Sequence, residues 1–321
     1  MGMSKKQVVL ITGGTGFLGK RLGLKLMDKY EVILTGRNNK QNFQAQKFTG
    51  CRIAPLDITN IESVRDAFSE FKPDIVIHAA ATKFVDLAEK FPMECVDVNV
   101  TGSQNVARVA IEKGVNTVIA ISTDKAAPPV RNTYGLSKAL MERLFCSMDG
   151  KSDTKFTAVR YGNVAWSTGS VLTIWKKMLE EKGVIGTTGP EMRRFFFTVD
   201  EAVNLVITAL DNIDLVRGKV LSRKMKAAKM EEILIIWAKI GGGRYEKIEG
   251  RPGERDDEFL VGELELPFTR EIILNNIVHY IISFNEKVKD PVQFGLSSAN
   301  TERLSEDEII HIIKNPPVEE I

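Results

Sequence analysis

The chain has 321 residues, with 44 Lys and Arg against 42 Asp and Glu and a formal net charge of +2. Both signs are mixed along it, which leaves no basic stripe for nucleic acid, and the longest apolar windows, around Ile233 to Ile240 and Ile272 to Phe284, are interrupted by Lys239, Asn275, Asn276 and His279, short of the about 20 apolar residues that span a bilayer. Cys51, Cys95 and Cys146 are too scattered for a disulfide framework or a zinc pattern, and no signal peptide precedes Gln7, so the expectation is a cytoplasmic protein without metal, membrane or nucleic-acid partners.

Gln7 to Thr12 is a short apolar, β-branched run that reads as a strand, and Phe17 to Met27, with Leu18, Leu22, Leu24 and Leu26, reads as an amphipathic helix. Between them stands Gly13-Gly14-Thr15-Gly16-Phe17-Leu18-Gly19. Glycines at a strand-to-helix junction allow a tight turn and bring backbone N–H groups and a helix N-terminus close to a pyrophosphate. Gly13, Thr15, Gly16, Phe17, Leu18 and Gly19 are therefore candidate cofactor contacts. Packing alone is the alternative use of such a turn. The spacing Gly13-x-x-Gly16-x-x-Gly19 resembles the short-chain dehydrogenase/reductase superfamily, in its extended branch.

The second strand, Glu31 to Leu34, runs into Thr35-Gly36-Arg37. An acidic residue there would bond a ribose 2′-OH and repel a 2′-phosphate; Arg37 instead suits the phosphate, with Asn38 and Lys40 beside it. This favours NADP, with NAD as the alternative and a solvated loop charge as the other use of Arg37. Leu56-Asp57-Ile58 closes a third strand, and the resemblance places Asp57 and Ile58 at the adenine. Thr59-x-x-Glu62 reads as a capping box opening a helix with Ile61, Val64 and Phe68 on one face. Asp74 to Ala81 is a buried strand ending in Ala79-Ala80-Ala81, small residues against which ribose and nicotinamide can lie. Asn99 matches the family's structural asparagine beside that loop.

Strand and helix alternate from Gln7 to Val164, which predicts an α/β protein with a Rossmann-type doubly wound parallel sheet. The expected division is an NADP-binding domain over 1–165 and a smaller substrate lobe over 166–321, interleaved with the first. In that lobe Val171 to Lys182 reads as a helix and Thr198-x-x-Glu201 caps another. The tail after Lys289 reads as a partly ordered extension.

Asn116 to Ile121 is the fifth strand, and Ser122-Thr123 closes it at the carboxyl edge, where open α/β sheets bind ligands. Tyr134 and Lys138 lie one turn apart on the helix that follows, on one face. A tyrosine with its ordinary pKa of about 10 is a weak base at neutral pH. A neighbouring ammonium and an oxidised nicotinamide both favour phenolate. Asp124-Lys125 adds an acid beside an amine, enough for two further proton transfers; on residue types alone, a surface turn before Pro128-Pro129 is equally open.

Ile121-Ser122-Thr123-Asp124-Lys125-Ala126-Ala127 followed by Asn132-Thr133-Tyr134-Gly135-Leu136-Ser137-Lys138 resembles the soluble UDP-N-acetylglucosamine 4,6-dehydratases of the polysaccharide-biosynthesis group. The likeness continues through Arg160-Tyr161-Gly162-Asn163-Val164, Gly169-Ser170-Val171, Met192-Arg193-Arg194-Phe195 and Arg251-Pro252-Gly253-Glu254. It implies that Tyr134, held by Lys138, takes the C4-hydroxyl proton, Thr123 holds the C4 oxygen, Lys125 takes the C5 proton and Asp124 protonates the departing C6 hydroxyl. It also implies Asn163, Arg194 and Arg251 at the pyrophosphate, with Lys83, Ser170, Val171 and Glu254 in the same substrate set; Glu254 and Arg255 are also expected to pair. A homo-oligomer formed through the helix after Tyr134 is implied as well. Thr82-Lys83-Phe84-Val85-Asp86-Leu87 departs from the family's usual loop, which leaves open the sugar and the product's C5 configuration. Rival readings are a dehydratase releasing a 5,6-ene, a nucleotide-sugar 4-epimerase or reductase, and a non-catalytic NADP-sensing regulator.

Overall fold

The computed structural model describes residues 6–250 and 253–318. Six parallel strands, β1 (Val8–Thr12), β2 (Glu31–Gly36), β3 (Arg52–Pro55), β4 (Ile75–His78), β5 (Thr117–Ile121) and β6 (Lys155–Arg160), lie in the order β3-β2-β1-β4-β5-β6. Every residue of β1, β4 and β5 is buried, as a parallel sheet covered on both faces requires. Alternate side chains feed two cores. Val9, Ile11, Val32 and Leu34 pack with helices Phe17–Leu26 and Val199–Asp211. Leu10, Ile33, Val76 and Val118 face helices Ile61–Phe71, Gly102–Glu112 and Thr133–Met148. This is the expected doubly wound sheet, and its strand order reverses between β1 and β4, so a ligand crevice opens at their carboxyl ends.

Three strands from the second half complete this sheet. Val220–Arg223 pairs parallel to β6, and Ile277–Ile282 and Thr269–Leu274 follow as an antiparallel hairpin. The hairpin turns on Asn275 and Asn276 at φ 52° and 61°, left-handed values that asparagine tolerates. Strands Asn163–Val164, Val184–Thr187, Arg193–Phe197, Ala227–Lys229 and Arg244–Lys247 contribute to a lobe around Trp166, Trp175 and Trp237.

Two local expectations need correction. The helix at Ile61 is capped by Asn60, whose side chain accepts from Glu62 and Ser63 N–H, and not by Thr59. Thr59 instead donates to Asp57 Oδ1 through its backbone and its hydroxyl. The tail is no loose extension, because Leu296–Ser297 pairs with Phe259–Val261 and helix Glu306–Lys314 buries Ile309 and Ile313 in the tryptophan core. Trp166 Nε1 donates to the Ile312 carbonyl at 2.6 Å. The three histidines are packing or surface groups. His78 bridges Thr12 Oγ1 (2.7 Å) and Ser103 Oγ (3.0 Å), and burial holds its pKa down to about 3.

One ion cluster ties the halves together. Arg160, wholly buried at the end of β6, forks onto Glu142 (2.9 and 2.6 Å), onto Glu265 (2.8 and 2.9 Å) and onto the Leu260 carbonyl (2.9 Å). Glu142 rides on the Thr133–Met148 helix, and Leu260 and Glu265 belong to the returning chain. Removing one partner strands buried charge, at a cost of about 3–5 kcal/mol. Arg160→Leu is therefore expected to lower the unfolding free energy by that amount in a denaturant titration, and a loss below about 1 kcal/mol would contradict the role given to the cluster.

Candidate active site

The crevice between β1 and β4 is built from backbone. Gly13 has φ +65°, and a Cβ there would stand 2.7 Å from Ala80 N and Cα, so glycine is what lets the turn and the Ala79-Ala80-Ala81 loop touch. Thr12 holds that loop, its carbonyl accepting from Ala79 N–H (3.0 Å) and its hydroxyl from Ala80 N–H (3.3 Å). Helix Phe17–Leu26 starts at Gly16 with no side-chain cap and no acidic residue in its first turn. Its N–H groups and dipole face outward for an anion. Thr15 packs under Gly36. Arg37, Asn38 and Lys40 are exposed at the end of β2, and Asn38 Oδ1 also caps the next helix at Gln41 N–H (3.1 Å). Asp57 and Ile58 follow β3 at the same carboxyl edge. Side chains at Gly13, Gly14 and Gly19 would strike the backbone of Ala80, of Ile11 and Leu34, and of Gly14, so these glycines close the turn, and the uncapped helix start at Gly16 is left for a phosphate, which fits a dinucleotide.

At the carboxyl end of β5 the chain turns at Thr123 into a short 3-10 segment, Asp124–Ala126. The turn frees Asp124 and Lys125 from the opposite-face geometry of a strand, and both reach one cluster. Asp124 Oδ1 accepts from Thr123 Oγ1 (2.9 Å) and Lys125 Nζ (3.1 Å), while its buried Oδ2 has no hydrogen-bond partner among the described residues. Gly162 is needed beside it, since a Cβ there would lie 3.1 Å from Oδ2 and 2.5 Å from Phe195 Cβ.

The Thr133–Met148 helix brings the remaining groups. Asn132 caps it at Gly135 N–H (2.7 Å), and Gly135 lies so close to the Lys125 carbonyl that a Cβ would collide with it. Tyr134 and Lys138 are buried, and the Tyr134 phenol stands close enough to Thr123 and Lys125 to feel both. Asn99, inside the π-helical turn Asp97–Thr101, donates to Ser137 Oγ (3.0 Å) and the Thr82 carbonyl (3.1 Å) and accepts from Thr82 N–H (2.9 Å). It thereby joins the Ala79–Ala81 loop to the tyrosine helix.

The charges are set by burial. Tyr134 is pushed up to about 12 by desolvation, against the pull of Lys125 and the Thr123 hydroxyl. Lys138 Nζ contacts Met141 Sδ at 3.2 Å, and burial lowers its pKa to about 8. Burial raises the Asp124 carboxyl despite Lys125. Lys125 is pushed down by burial, yet Asp124 and Glu258 outweigh that and hold it above the ordinary amine value.

The cluster opens on a cavity of about 260 Å³ lined by Lys125, Asn163, Glu258, Arg194, Lys83, Ser170, Val171 and Glu254, among others. Asn163 Oδ1 accepts from Lys125 Nζ at 3.4 Å. Arg194 Nη1 is spent on the Arg193 and Asp256 carbonyls (2.8 and 3.1 Å), and Glu254 Oε1 accepts from Thr188 Oγ1 at 3.2 Å. Helix Val171–Lys182 starts at Ser170 with no side-chain cap and no acid in its first turn. Arg251 lies outside the described residues. Arg255, expected to pair with Glu254, forks onto Glu258 instead (3.1 and 2.5 Å). Glu258 is the site residue that the sequence did not reveal; it follows no motif and meets Lys125 only through the fold.

The sheet, the glycine turn and the tyrosine helix define a Rossmann protein of the short-chain dehydrogenase/reductase kind. Residues 9–275 match the polysaccharide biosynthesis protein family, and the chain belongs to it. It is 32% identical to the UDP-N-acetylglucosamine 4,6-dehydratase (inverting) of Campylobacter jejuni, covering 98% of this chain and 99% of that protein. It is also 30% identical to a UDP-glucose 4-epimerase of Rickettsia felis, covering 96% of each. A solved structure, Pen from Bacillus thuringiensis, superposes with a TM-score of 0.88 at 31% identity over 97% of this chain and 98% of its own. Among the described residues no group of His, Cys, Asp or Glu could hold a metal ion, and no helix is long and apolar enough to cross a membrane.

Proposed function

We propose that this protein dehydrates UDP-N-acetylglucosamine, or a related UDP-N-acetylhexosamine, to a UDP-4-keto-6-deoxy sugar without net redox change. The observation that carries the reading is that Asp124 and Lys125 meet Thr123 and Tyr134 in one buried cluster at the edge of the cavity. Oxidation at C4 needs the tyrosine and a hydroxyl; the acid and amine are surplus unless protons also move at C5 and C6. The dehydratase relative spans the whole chain and supports this. The epimerase relative supports the second reading, a 4-epimerase.

NADP would supply the hydride acceptor for C4 and the donor for C6. The glycine turn and the helix at Phe17 would hold its pyrophosphate, Arg37 with Asn38 and Lys40 its 2′-phosphate, and Asp57 and Ile58 its adenine. Tyr134 accepts the C4-hydroxyl proton while Thr123 orients the oxygen, with Lys138 holding the ribose side of the site. The 4-ketone acidifies C5, whose proton passes to Lys125 acting as the neutral amine. Asp124, whose carboxyl burial pushes up, gives a proton to the C6 hydroxyl, which leaves as water, and Lys125 returns its proton to C5 as hydride reaches C6. Lys83, Asn163, Ser170, Val171, Arg194, Arg251 and Glu254 hold the nucleotide sugar, the Val171 helix N-terminus and the arginines facing the pyrophosphate. A homo-oligomer is part of the proposal, since Leu136 and Leu140 on the tyrosine helix, with Phe91, Met93 and Val96 beside it, form an exposed apolar face.

Tyr134→Phe is expected to abolish reduced-nicotinamide absorbance in a single turnover. Asp124→Asn should retain that absorbance and let it accumulate, while product formation falls about 10²–10⁴-fold; an Asp124→Asn enzyme that dehydrates at the wild-type rate returns the chain to the epimerase class. Arg37→Ala should weaken NADP by about 10- to 100-fold, the worth of a charged hydrogen bond, and leave NAD unchanged by calorimetry. Equal losses for both would overturn the cofactor choice.

A further inference from the structure

Glu258 is a buried carboxylate that no step above uses. It directly precedes the strand Phe259–Val261, and its position is set by backbone: its N–H donates to Ser298 Oγ (3.0 Å) and its carbonyl accepts from Ser298 N–H (2.8 Å), next to the pairing with Leu296–Ser297. Its Oε2 accepts both prongs of Arg255, whose third donor goes to the Pro129 carbonyl (2.6 Å). Only Oε1 remains for the site, and it stands 3.4 Å from Lys125 Nζ.

We propose that Glu258 is a positioning residue for Lys125, a second carboxylate that shares the ammonium with Asp124 and fixes where Nζ stands at the cavity. Lys125 Nζ faces three acceptors, Asp124 Oδ1 at 3.1 Å, Asn163 Oδ1 at 3.4 Å and Glu258 Oε1 at 3.4 Å. Two of the ammonium donors go to Asp124 and Asn163, and Glu258 adds an ion pair from a third direction, so the side chain is held at the wall of the cavity. The charged and titratable groups around Lys125 are Asp124, Glu258, Arg194 and Tyr134. Around Glu258 they are Lys125, Arg194, Arg255 and Asp124. Burial would raise Glu258, but its three cations hold it below the usual carboxylate range, so it ionises more readily than Asp124, whose carboxyl burial raises. Its charge favours the Lys125 ammonium and discourages ionisation of Asp124.

The proposal rests on the dehydratase reading for its consequence in turnover, but its direct test does not. Glu258→Gln removes one negative charge beside Lys125, so Lys125, followed by NMR of isotope-labelled lysine side chains and assigned with Lys125→Met, should titrate about one unit or more lower. Glu258→Asp, which keeps the charge, should fall between Glu258→Gln and the wild type. If Glu258→Gln does not fold, Lys125→Met gives the reciprocal reading, since coupling is mutual: the Glu258 carboxyl should titrate higher. In turnover, Glu258→Gln should move the rising limb of kcat against pH to lower pH, with KM nearly unchanged. An unshifted Lys125 in Glu258→Gln, or an unshifted Glu258 in Lys125→Met, overturns the proposal, as does a change confined to KM. A wild-type enzyme that forms no 4-keto-6-deoxy sugar overturns the dehydratase reading while leaving the titration to judge Glu258.

Discussion

The buried Arg160 guanidinium is the constraint on which the site depends. A cation taken wholly out of water is tolerable only if every donor is met by an acceptor of opposite charge or a carbonyl, and Arg160 meets this with Glu142, Glu265 and the Leu260 carbonyl. Those partners come from the tyrosine helix and from the chain returning after residue 253. Once they are satisfied, Tyr134, two turns before Glu142, and Glu258, two residues before Leu260, are fixed against the same strand. The tyrosine helix is then pressed onto the Asp124–Ala126 turn at Gly135, which admits one arrangement of acid, amine and phenol.

That arrangement concentrates charge where water is scarce. Asp124, Lys125, Glu258, Arg255 and Arg194 adjoin one another with few solvent contacts. Glu258 is met by a cation at each oxygen, whereas Asp124 pairs with Lys125 through Oδ1 and leaves Oδ2 unpartnered. An unpaired buried oxygen is costly as an anion and far less so as a carboxylic acid, which is why the raised proton affinity of Asp124 and its geometry agree. Tyr134 is in the reverse position: burial alone makes it a poor base, and it depends on Lys125 and on further positive charge brought to the crevice.

Much of this was legible in the sequence because local spacing encodes it. The glycine turn, the Thr198 capping box and the Tyr134–Lys138 face all follow from neighbours within a turn or two of helix, and the structure contains each of them. What escaped depends on long-range pairing. Glu258 lies far along the chain from Lys125, and the Arg160 cluster joins three separate segments. The tail helix is short and strongly apolar on one face, and nothing local says that a tryptophan core awaits it. Asn60 displaced Thr59 as the cap because Thr59 was already engaged by Asp57.

The central claim is that one sugar is oxidised at C4 and reduced at C6 within the same site. Incubating the protein with UDP-N-acetylglucosamine deuterated at C4, with a catalytic quantity of NADP and no reductant, tests it directly by NMR of the product. The account predicts a 4-keto-6-deoxy sugar with the deuterium in its C6 methyl group; deuterium remaining at C4, or appearing in free reduced nicotinamide in proportion to product, would contradict it.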